Sequence, residues 1–424
     1  MINTKLILVD GMAGSGKSTT AHFIARQLEK NGVKVKWFHE VEKNHPLHYD
    51  GKVSEKENDE SDANYSQRIM AKYPEIWSDF VNMIKDDIIV YIVESYLFQD
   101  VLLFPHFMND IDRQIIKDFS HKILEITRCL NPLIIHLYQK DIENAIRLNW
   151  VRRGDEWKAG YIGYVENTLY CKNRNAKGET GLIQLWQDFT DFTVELFQEY
   201  DFRKFQIENS AQEWKNYRQQ ICDFLELNIV EEYLSNDSLD RFCGEYLGNG
   251  FLFKIHMNGS CLCLDAFWPN LKLLPISENE FEIEGFPIRL KFFENKEKGE
   301  ISLKLTKALC YYTEGTIAKK YISLNLSKKE LAKFCGDFYC ESTKLSRKIY
   351  QKDGKLYYWR EENDESLLIP ITESQLMMTE GVENQLDFKL VNEKWQFTLD
   401  IKGGKPSFSL FINKNIDQET ELTK

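Results

Sequence analysis

Apolar positions in the first half of the chain fall into short unbroken runs separated by longer, mostly polar stretches. Leu6-Ile7-Leu8-Val9, Val33-Lys34-Val35-Lys36-Trp37-Phe38, Ile88-Ile89-Val90-Tyr91-Ile92-Val93, Leu133-Ile134-Ile135-His136-Leu137-Tyr138 and Lys204-Phe205-Gln206-Ile207 read as strands. Between them, Ala21, Ile24, Ala25 and Leu28 recur at helical spacing, and helices are expected around Tyr73 to Lys85 and from Ala211 to about Leu225. The stretch from Asn44 to Asn64 is polar and acidic with little periodicity, which predicts a mobile surface loop. Strands alternating with helices predict an α/β unit with a parallel sheet.

After about Ile229 the pattern changes to period two. Ile288, Leu290 and Phe292, then Ile301, Leu303 and Leu305, then Trp395, Phe397, Leu399 and Ile401 alternate with polar residues, as half-buried antiparallel strands do. This half also repeats. Phe242-Cys243-Gly244-Glu245-Tyr246 returns as Phe334-Cys335-Gly336-Asp337-Phe338, and Leu273-Leu274-Pro275-Ile276-Ser277-Glu278 as Leu368-Ile369-Pro370-Ile371-Thr372-Glu373. Hairpin turns at Asn258-Gly259 and Asp353-Gly354 occupy similar places in the two copies. The expected architecture is an α/β domain over 1–228, followed by two tandem antiparallel β units, half-barrel or barrel-like, over 236–325 and 328–414.

Composition narrows the class. The 424 residues exceed one typical core, and 43% hydrophobic with 28% charged residues is ordinary for a soluble globular protein. A net charge of −12 argues against a general nucleic-acid binder, whose footprint would be basic. The nine cysteines include no C-x-x-C pair, so zinc and thioredoxin-like redox readings lack support. An odd cysteine count, no secretory signal and no apolar stretch of spanning length lead to the expectation of a cytoplasmic protein without a membrane partner.

The chemistry enters between the first strand and the first helix. Gly11-Met12-Ala13-Gly14-Ser15-Gly16-Lys17-Ser18-Thr19 fits G-x-x-x-x-G-K-[ST], the phosphate-binding P-loop, in the strand–loop–helix setting that the motif requires. Its glycines let successive N–H groups turn inward, and the helix N-terminus adds positive dipole. Lys17 is expected to reach the β- and γ-phosphates of ATP or another NTP, and Ser18 to ligate Mg²⁺.

Ligands of α/β sheets sit beyond the carboxyl ends of the strands, so the residues just after each strand are the next candidates. Glu40 follows the second strand and Glu94-Ser95 the third. One carboxylate would orient the attacking hydroxyl and the other, Glu94, would hold Mg²⁺ with Ser18; the alternative for each is a solvated loop acid. Asp10 is expected to brace the loop. Arg147, Arg152 and Arg153, on a helix and turn after the fourth strand, suit a lid that clamps phosphates, against the alternative of a salt-bridged helix end with Asp155 and Glu156.

On these residues the N-terminal ~225 positions, a single-domain length, resemble nucleoside and nucleotide kinases of the P-loop superfamily, thymidylate and deoxynucleoside kinases in particular. The resemblance implies that Glu40 is the base activating a sugar hydroxyl and that Arg147, Arg152 and Arg153 are lid arginines. Those families place an arginine beside the strand-three acid, where this chain has Glu94-Ser95-Tyr96. His45-Pro46, Tyr49-Asp50 and the run from Trp157 to Gly160-Tyr161 are similar to bacterial proteins labelled thymidylate-kinase-like, a group that carries no assigned substrate. The repeats resemble small lipocalin-like β units appended to some bacterial serine β-lactamase-like proteins, which implies a half-open barrel. A partner-binding or structural appendage is expected there; a ligand cup lined by Phe251, Phe253, Phe267 and Trp268 is the alternative.

The sequence thus points to an ATP- and Mg²⁺-dependent phosphotransferase for a small-molecule phosphate acceptor, a nucleoside or nucleotide first. The competing expectation is an NTP-binding switch whose β units bind a macromolecular partner. An enzyme of nucleic-acid ends is disfavoured by the acidic charge.

Overall fold

The computed structural model describes residues 2–49, 56, 59–230, 236–248, 251–266, 268–295, 300–309, 312–321, 324–341, 343–361, 364–378, 383–401 and 409–413. It divides into two compact units. The first comprises residues 1–233 together with Glu282–Ile288 and Ala308–Tyr312, and the second the remainder.

The first unit is built on five strands: β1 (Leu6–Gly11), β2 (Val35–Phe38), β3 (Val90–Glu94), β4 (Leu133–Tyr138) and β5 (Arg203–Glu208). All pair in parallel, in the order β2-β3-β1-β4-β5. β1, β3 and β4 are buried along almost their whole length, which is why they read as unbroken apolar runs. Register does the placing. Val9 lies opposite Glu94, Gly11 opposite Leu137 and Phe38 opposite Val93, so the loops after β1, β2 and β3 open at one edge of the sheet.

Helices cover both faces: α1 (Lys17–Lys30), α2 (Asp62–Ile84), α3 (Phe104–Met108), α4 (Arg113–Thr127), α5 (Ile142–Arg153), α6 (Asp155–Glu166), α7 (Leu169–Arg174), α8 (Gly178–Glu199) and α9 (Trp214–Leu225). On one face Ile24 and Leu28 of α1 and Tyr217 and Ile221 of α9 pack with Ile7, Val9 and Ile135. On the other, Trp77 and Phe80 of α2, Phe119 of α4 and Trp186 of α8 pack with Leu8, Val93 and Ile134.

Three details differ from the sequence pattern. β2 begins at Val35 because the Val33 N–H returns to Leu28 O and closes the end of α1. The second helix begins at Asp62, capped by Ser61, whose side chain accepts from Asn64 N. The first part of the expected Asn44–Asn64 loop is packed, not solvated: His45 stacks on Tyr96 at 4.0 Å and Leu47 is fully buried, its carbonyl accepting from Tyr73 Oη at 2.9 Å. Residues 50–55, 57 and 58 of that stretch lie outside the described residues.

The later half forms two antiparallel barrels of eight strands each. The first uses β6 (Gly244–Gly248), β7 (Phe251–Asn258), β8 (Cys261–Asp265), β9 (Leu271–Pro275), β10 (Glu280–Ile283), β11 (Arg289–Asn295), β12 (Glu300–Lys307) and β13 (Ile317–Tyr321). After α10 (Lys328–Ala332), the second uses β14 (Gly336–Cys340), β15 (Leu345–Lys352), β16 (Lys355–Glu361), β17 (Asp364–Pro370), β18 (Gln375–Met378), β19 (Glu383–Val391), β20 (Lys394–Ile401) and β21 (Ser409–Asn413). The sequence repeat maps onto this plan. Asn258-Gly259 and Asp353-Gly354 each join second and third strands, and Pro275 and Pro370 each end a fourth strand. Rings fill both interiors. Phe242 stacks on Phe292 at 4.3 Å in the first, and Phe338 meets Phe397 at 4.9 Å in the second. Of the aromatics named for a ligand cup, Phe253 is buried and Trp268 exposed, while Phe267 and the Phe251 side chain lie outside the described residues. Among the described residues no helix is long and apolar enough to cross a membrane.

Candidate functional site

The loop between β1 and α1 is held from three sides. Asn149 of α5 donates through Nδ2 to Ala13 O at 2.9 Å, Asn209 donates through Nδ2 to Ser15 O, and Ser15 N closes a turn onto Met12 O at 3.1 Å. Asp10, fully buried, accepts from the main-chain N–H of Gly11 (2.7 Å), Leu97 (2.6 Å) and Phe98 (2.9 Å), bracing the loop against the segment after β3. Burial raises its pKa even with the Lys17 charge nearby.

Gly16 has φ +89°, a left-handed conformation, and a Cβ there would lie 2.2 Å from the Trp214 ring. Gly16→Ala is therefore expected to destabilise the fold by about 1–3 kcal/mol and to weaken nucleotide binding. The check is thermal unfolding with and without ATP: a lower Tm that ATP no longer raises is expected, whereas an unchanged Tm with a full ATP shift would contradict it.

Lys17 is buried. Its Nζ donates to Met12 O at 3.1 Å and to Gln99 Oε1. Gln99 opens a π-helical stretch, Gln99–Leu103, after β3, a distortion often found at functional sites. Ser95, directly after Glu94, has φ +66°, and its buried hydroxyl faces the Glu40 carboxylate. Ser15 Oγ in the loop is buried and makes no hydrogen bond among the described residues. Backbone strain at Ser95 and the unmet Ser15 hydroxyl are features that gather at ligand sites.

The register of β2, β3 and β1 brings the two predicted acids together. Glu94 is fully buried; its Oε2 accepts from Trp37 Nε1 at 3.2 Å and its Oε1 from Glu40 N at 3.4 Å. His39 Nε2 lies 3.4 Å from Glu94 Oε1. Burial and then the Glu40 charge hold the Glu94 carboxyl well above its ordinary value, against the nearby Ser18 hydroxyl and Lys17. Glu40 moves the other way: burial opposes ionisation, but Lys17, the Ser95 hydroxyl, His39 and Arg153 together pull it down. Two adjacent carboxyls titrate as a pair, with the first charge falling on Glu40. Burial also lowers the His39 pKa to about 4, so that its imidazole is neutral at physiological pH.

The three lid candidates separate. Arg153 sits over the Trp157 ring at 4.6 Å, and its charge reaches Glu40. Arg147 is half-exposed and pairs with Glu143 at 2.8 Å and Glu179 at 3.9 Å. The side chain of Arg152 lies outside the described residues. Beside the loop, Ala13, Asn149 and the rings of Trp150, Trp157, Tyr161 and Trp186 line a narrow recess, partly open to solvent, with room for about one water molecule. Trp150 Nε1 is buried and makes no hydrogen bond among the described residues.

Sequence reasoning missed Trp37, Gln99, Asn149, Asn209 and Trp214. Trp37 is the last residue but one of a strand whose following residues were already candidates, which is a usable signal. Asn149 within α5, Asn209 just after β5 and Trp214 at the start of α9 carry none, because elements far along the chain deliver them.

No protein-family model and no curated protein matches the chain. Among solved structures it is similar to the crystal structure of APE1195, at 12% identity over 53% of this chain and 97% of that one, with a TM-score of 0.30. It is also similar to the YorR protein of Bacillus subtilis, solved in complex with phosphorylated GDP, at 11% identity over 52% of this chain and 95% of that one, with a TM-score of 0.29.

Proposed function

We propose that this protein is an ATP- and Mg²⁺-dependent phosphotransferase acting on a small molecule, with a nucleoside or nucleotide as the first acceptor class. The observation that carries the reading is the meeting of Lys17, Ser18, Glu40 and Glu94 at one sheet edge, with opposed pKa shifts on the two acids. Residues 1–228 are assigned this chemistry, and the units over 236–325 and 328–414 a supporting or partner-binding role.

Loop N–H groups and Lys17 would hold the β- and γ-phosphates. Ser18 and Glu94 offer hard oxygen donors of the kind Mg²⁺ prefers; Mg²⁺ there would neutralise charge between those phosphates. Glu40, the more acidic of the pair, is the ionised carboxylate that accepts the proton of an attacking hydroxyl. Arg153 would place positive charge on the transferring group. Arg147 joins the lid only by exchanging Glu143 and Glu179 for phosphate, and Arg152 completes it. The ring-lined recess would have to widen to seat an aromatic acceptor base, and Trp150 Nε1, buried and without a hydrogen bond among the described residues, would then be a donor for it.

ADP formation with ATP and Mg²⁺ across nucleosides, nucleoside monophosphates and other hydroxylated metabolites tests the reading. Acceptor-dependent ADP that disappears in Lys17→Ala is expected; ATP binding with no acceptor effect counts against it.

A second reading, an NTP-binding switch whose β units capture a macromolecule, is favoured by the Glu143 and Glu179 pairing of Arg147 and by Ser95 standing where kinase relatives carry arginine. It requires partner capture that depends on nucleotide; identical partners with and without ATP would dismiss it.

A further inference from the structure

Segment Glu282–Ile288 belongs to the first unit although it lies far along the chain. It meets α1 one turn beyond Ser18. His22 is buried there, and both ring nitrogens are engaged: Nε2 lies 2.9 Å from Glu282 Oε2, and Nδ1 accepts from Gly285 N at 2.9 Å. An Nδ1 that accepts carries no proton, so the ring is in its Nε2–H form and donates to Glu282. Arg26, one further turn along, donates through Nη1 to the same carboxylate oxygen at 3.2 Å. This carboxylate is buried and held by two groups of α1.

Those contacts lead to Glu94. The His22 ring stacks on Trp37 at 5.1 Å, with an interplanar angle of 19°. The same indole donates through Nε1 to Glu94 Oε2. Trp37 also abuts His39 at 5.5 Å, and Phe286 covers His39 from the segment side at 5.4 Å. Gly285, at φ +81°, passes so close to α1 that a Cβ would lie 3.4 Å from both Thr19 N and Thr19 Oγ1.

Resting on the phosphotransferase reading, we infer that Glu282 and His22 are positioning residues. With Gly285 they fix the Trp37 indole, and the indole fixes the Glu94 carboxylate in the orientation that receives Mg²⁺ beside Ser18. The stacked ring sets the plane of the indole, the Nε1–H holds Oε2, and Oε1 faces Glu40 N and His39 Nε2. Without the Glu282 acceptor, His22 loses its Nε2 partner, and the indole loses the surface that orients it.

The test uses the full chain with Glu282→Ala, Glu282→Gln and Trp37→Phe. Glu282→Gln keeps an oxygen that accepts from His22; Trp37→Phe keeps a stacking ring but removes the donor to Glu94. Two readouts are taken: the Mg²⁺ concentration for half-maximal ADP formation beside KM for ATP, and the gain in ADP affinity on adding Mg²⁺, by calorimetry. Glu282→Ala and Trp37→Phe are expected to raise the Mg²⁺ requirement about tenfold, the change produced by a 1.4 kcal/mol loss, with KM for ATP within about twofold at saturating Mg²⁺. Glu282→Gln should restore most of the loss. A merely structural Glu282 would lower Tm and leave the Mg²⁺ requirement alone, and that result overturns the inference. If Glu282→Ala does not fold, Trp37→Phe decides alone, a wild-type Mg²⁺ requirement overturning the inference. A wild-type protein that binds Mg·ADP but phosphorylates nothing overturns the phosphotransferase reading only, since the affinity gain still reports on Glu94. A wild type with no Mg²⁺-dependent ADP binding overturns both.

Discussion

Lys17→Ala is expected to abolish phosphoryl transfer, with a loss of at least about 10²–10³-fold, the scale on which single preorganised electrostatic groups act. The side chain is buried and already tethered at Met12 O and Gln99, so its charge sits in place before nucleotide arrives. Alanine removes that charge without filling the space. The fold should survive, because Lys17 bonds to one carbonyl and one neutral amide, both of which water can reach into the vacated space to satisfy. Three acids register the loss: Asp10, Glu40 and Glu94 all have Lys17 among the charges that lower their pKa, so all become weaker acids. Circular dichroism and steady-state ADP release on one preparation check it. A folded variant with wild-type turnover sinks the mechanism.

Glu94→Gln should move activity and stability in opposite directions. Transfer should fall by about 10²–10³-fold, since Glu94 is the acid proposed to share Mg²⁺ with Ser18. Metal-free stability at neutral pH should rise. The folded chain holds the Glu94 carboxyl well above its ordinary value of 4.5, so between the unfolded and folded values the folded state carries more protons. Stability contributed by this group is therefore complete below about pH 4.5 and lost as pH rises through the folded value. Glutamine is neutral throughout and escapes that loss. Melting curves in chelator across pH should show a higher Tm for the variant at pH 7, about 2–4 °C for each kcal/mol gained, and convergence with wild type in acid. A variant less stable at every pH would show that the carboxylate is held by bonds stronger than its desolvation.

The sheet was legible because its central strands are buried on both faces and leave uninterrupted apolar runs, with punctuation where the loops begin. Lys17, Glu40 and Glu94 were legible for a related reason: parallel strands end together, so residues just past their ends become neighbours. The barrels announced themselves by period two and by turns at matching places in each copy. The packing of His45 and Leu47 was hidden in a polar, acidic stretch, since burial there depends on Tyr96 and Tyr73, which local pattern does not reveal. The supports of the loop were hidden for the same reason: Asn149 and Asn209 are single polar residues in no pattern, and only the folded sheet places them beside Ala13 and Ser15. The partition of the arginines was equally invisible, because Arg147 has an acidic residue four positions before it on an exposed face, whereas Arg153 has the Trp157 ring.

His22 and Glu282 stand 260 positions apart. A ribosome that has passed Tyr233 has not yet supplied the last pieces of the first unit, which wait for Glu282–Ile288 and Ala308–Tyr312. At ordinary translation speeds the interval from Tyr233 to Glu282 lasts about 2–10 s, long compared with helix and loop formation. Through that time α1 carries His22 and Arg26 without their carboxylate, and a nascent chain can fold its sheet while the first turns of the helix stay unsealed. Maturation of that end is thereby timed to synthesis of the first barrel, and a message truncated between the two would yield a sheet without its last partner.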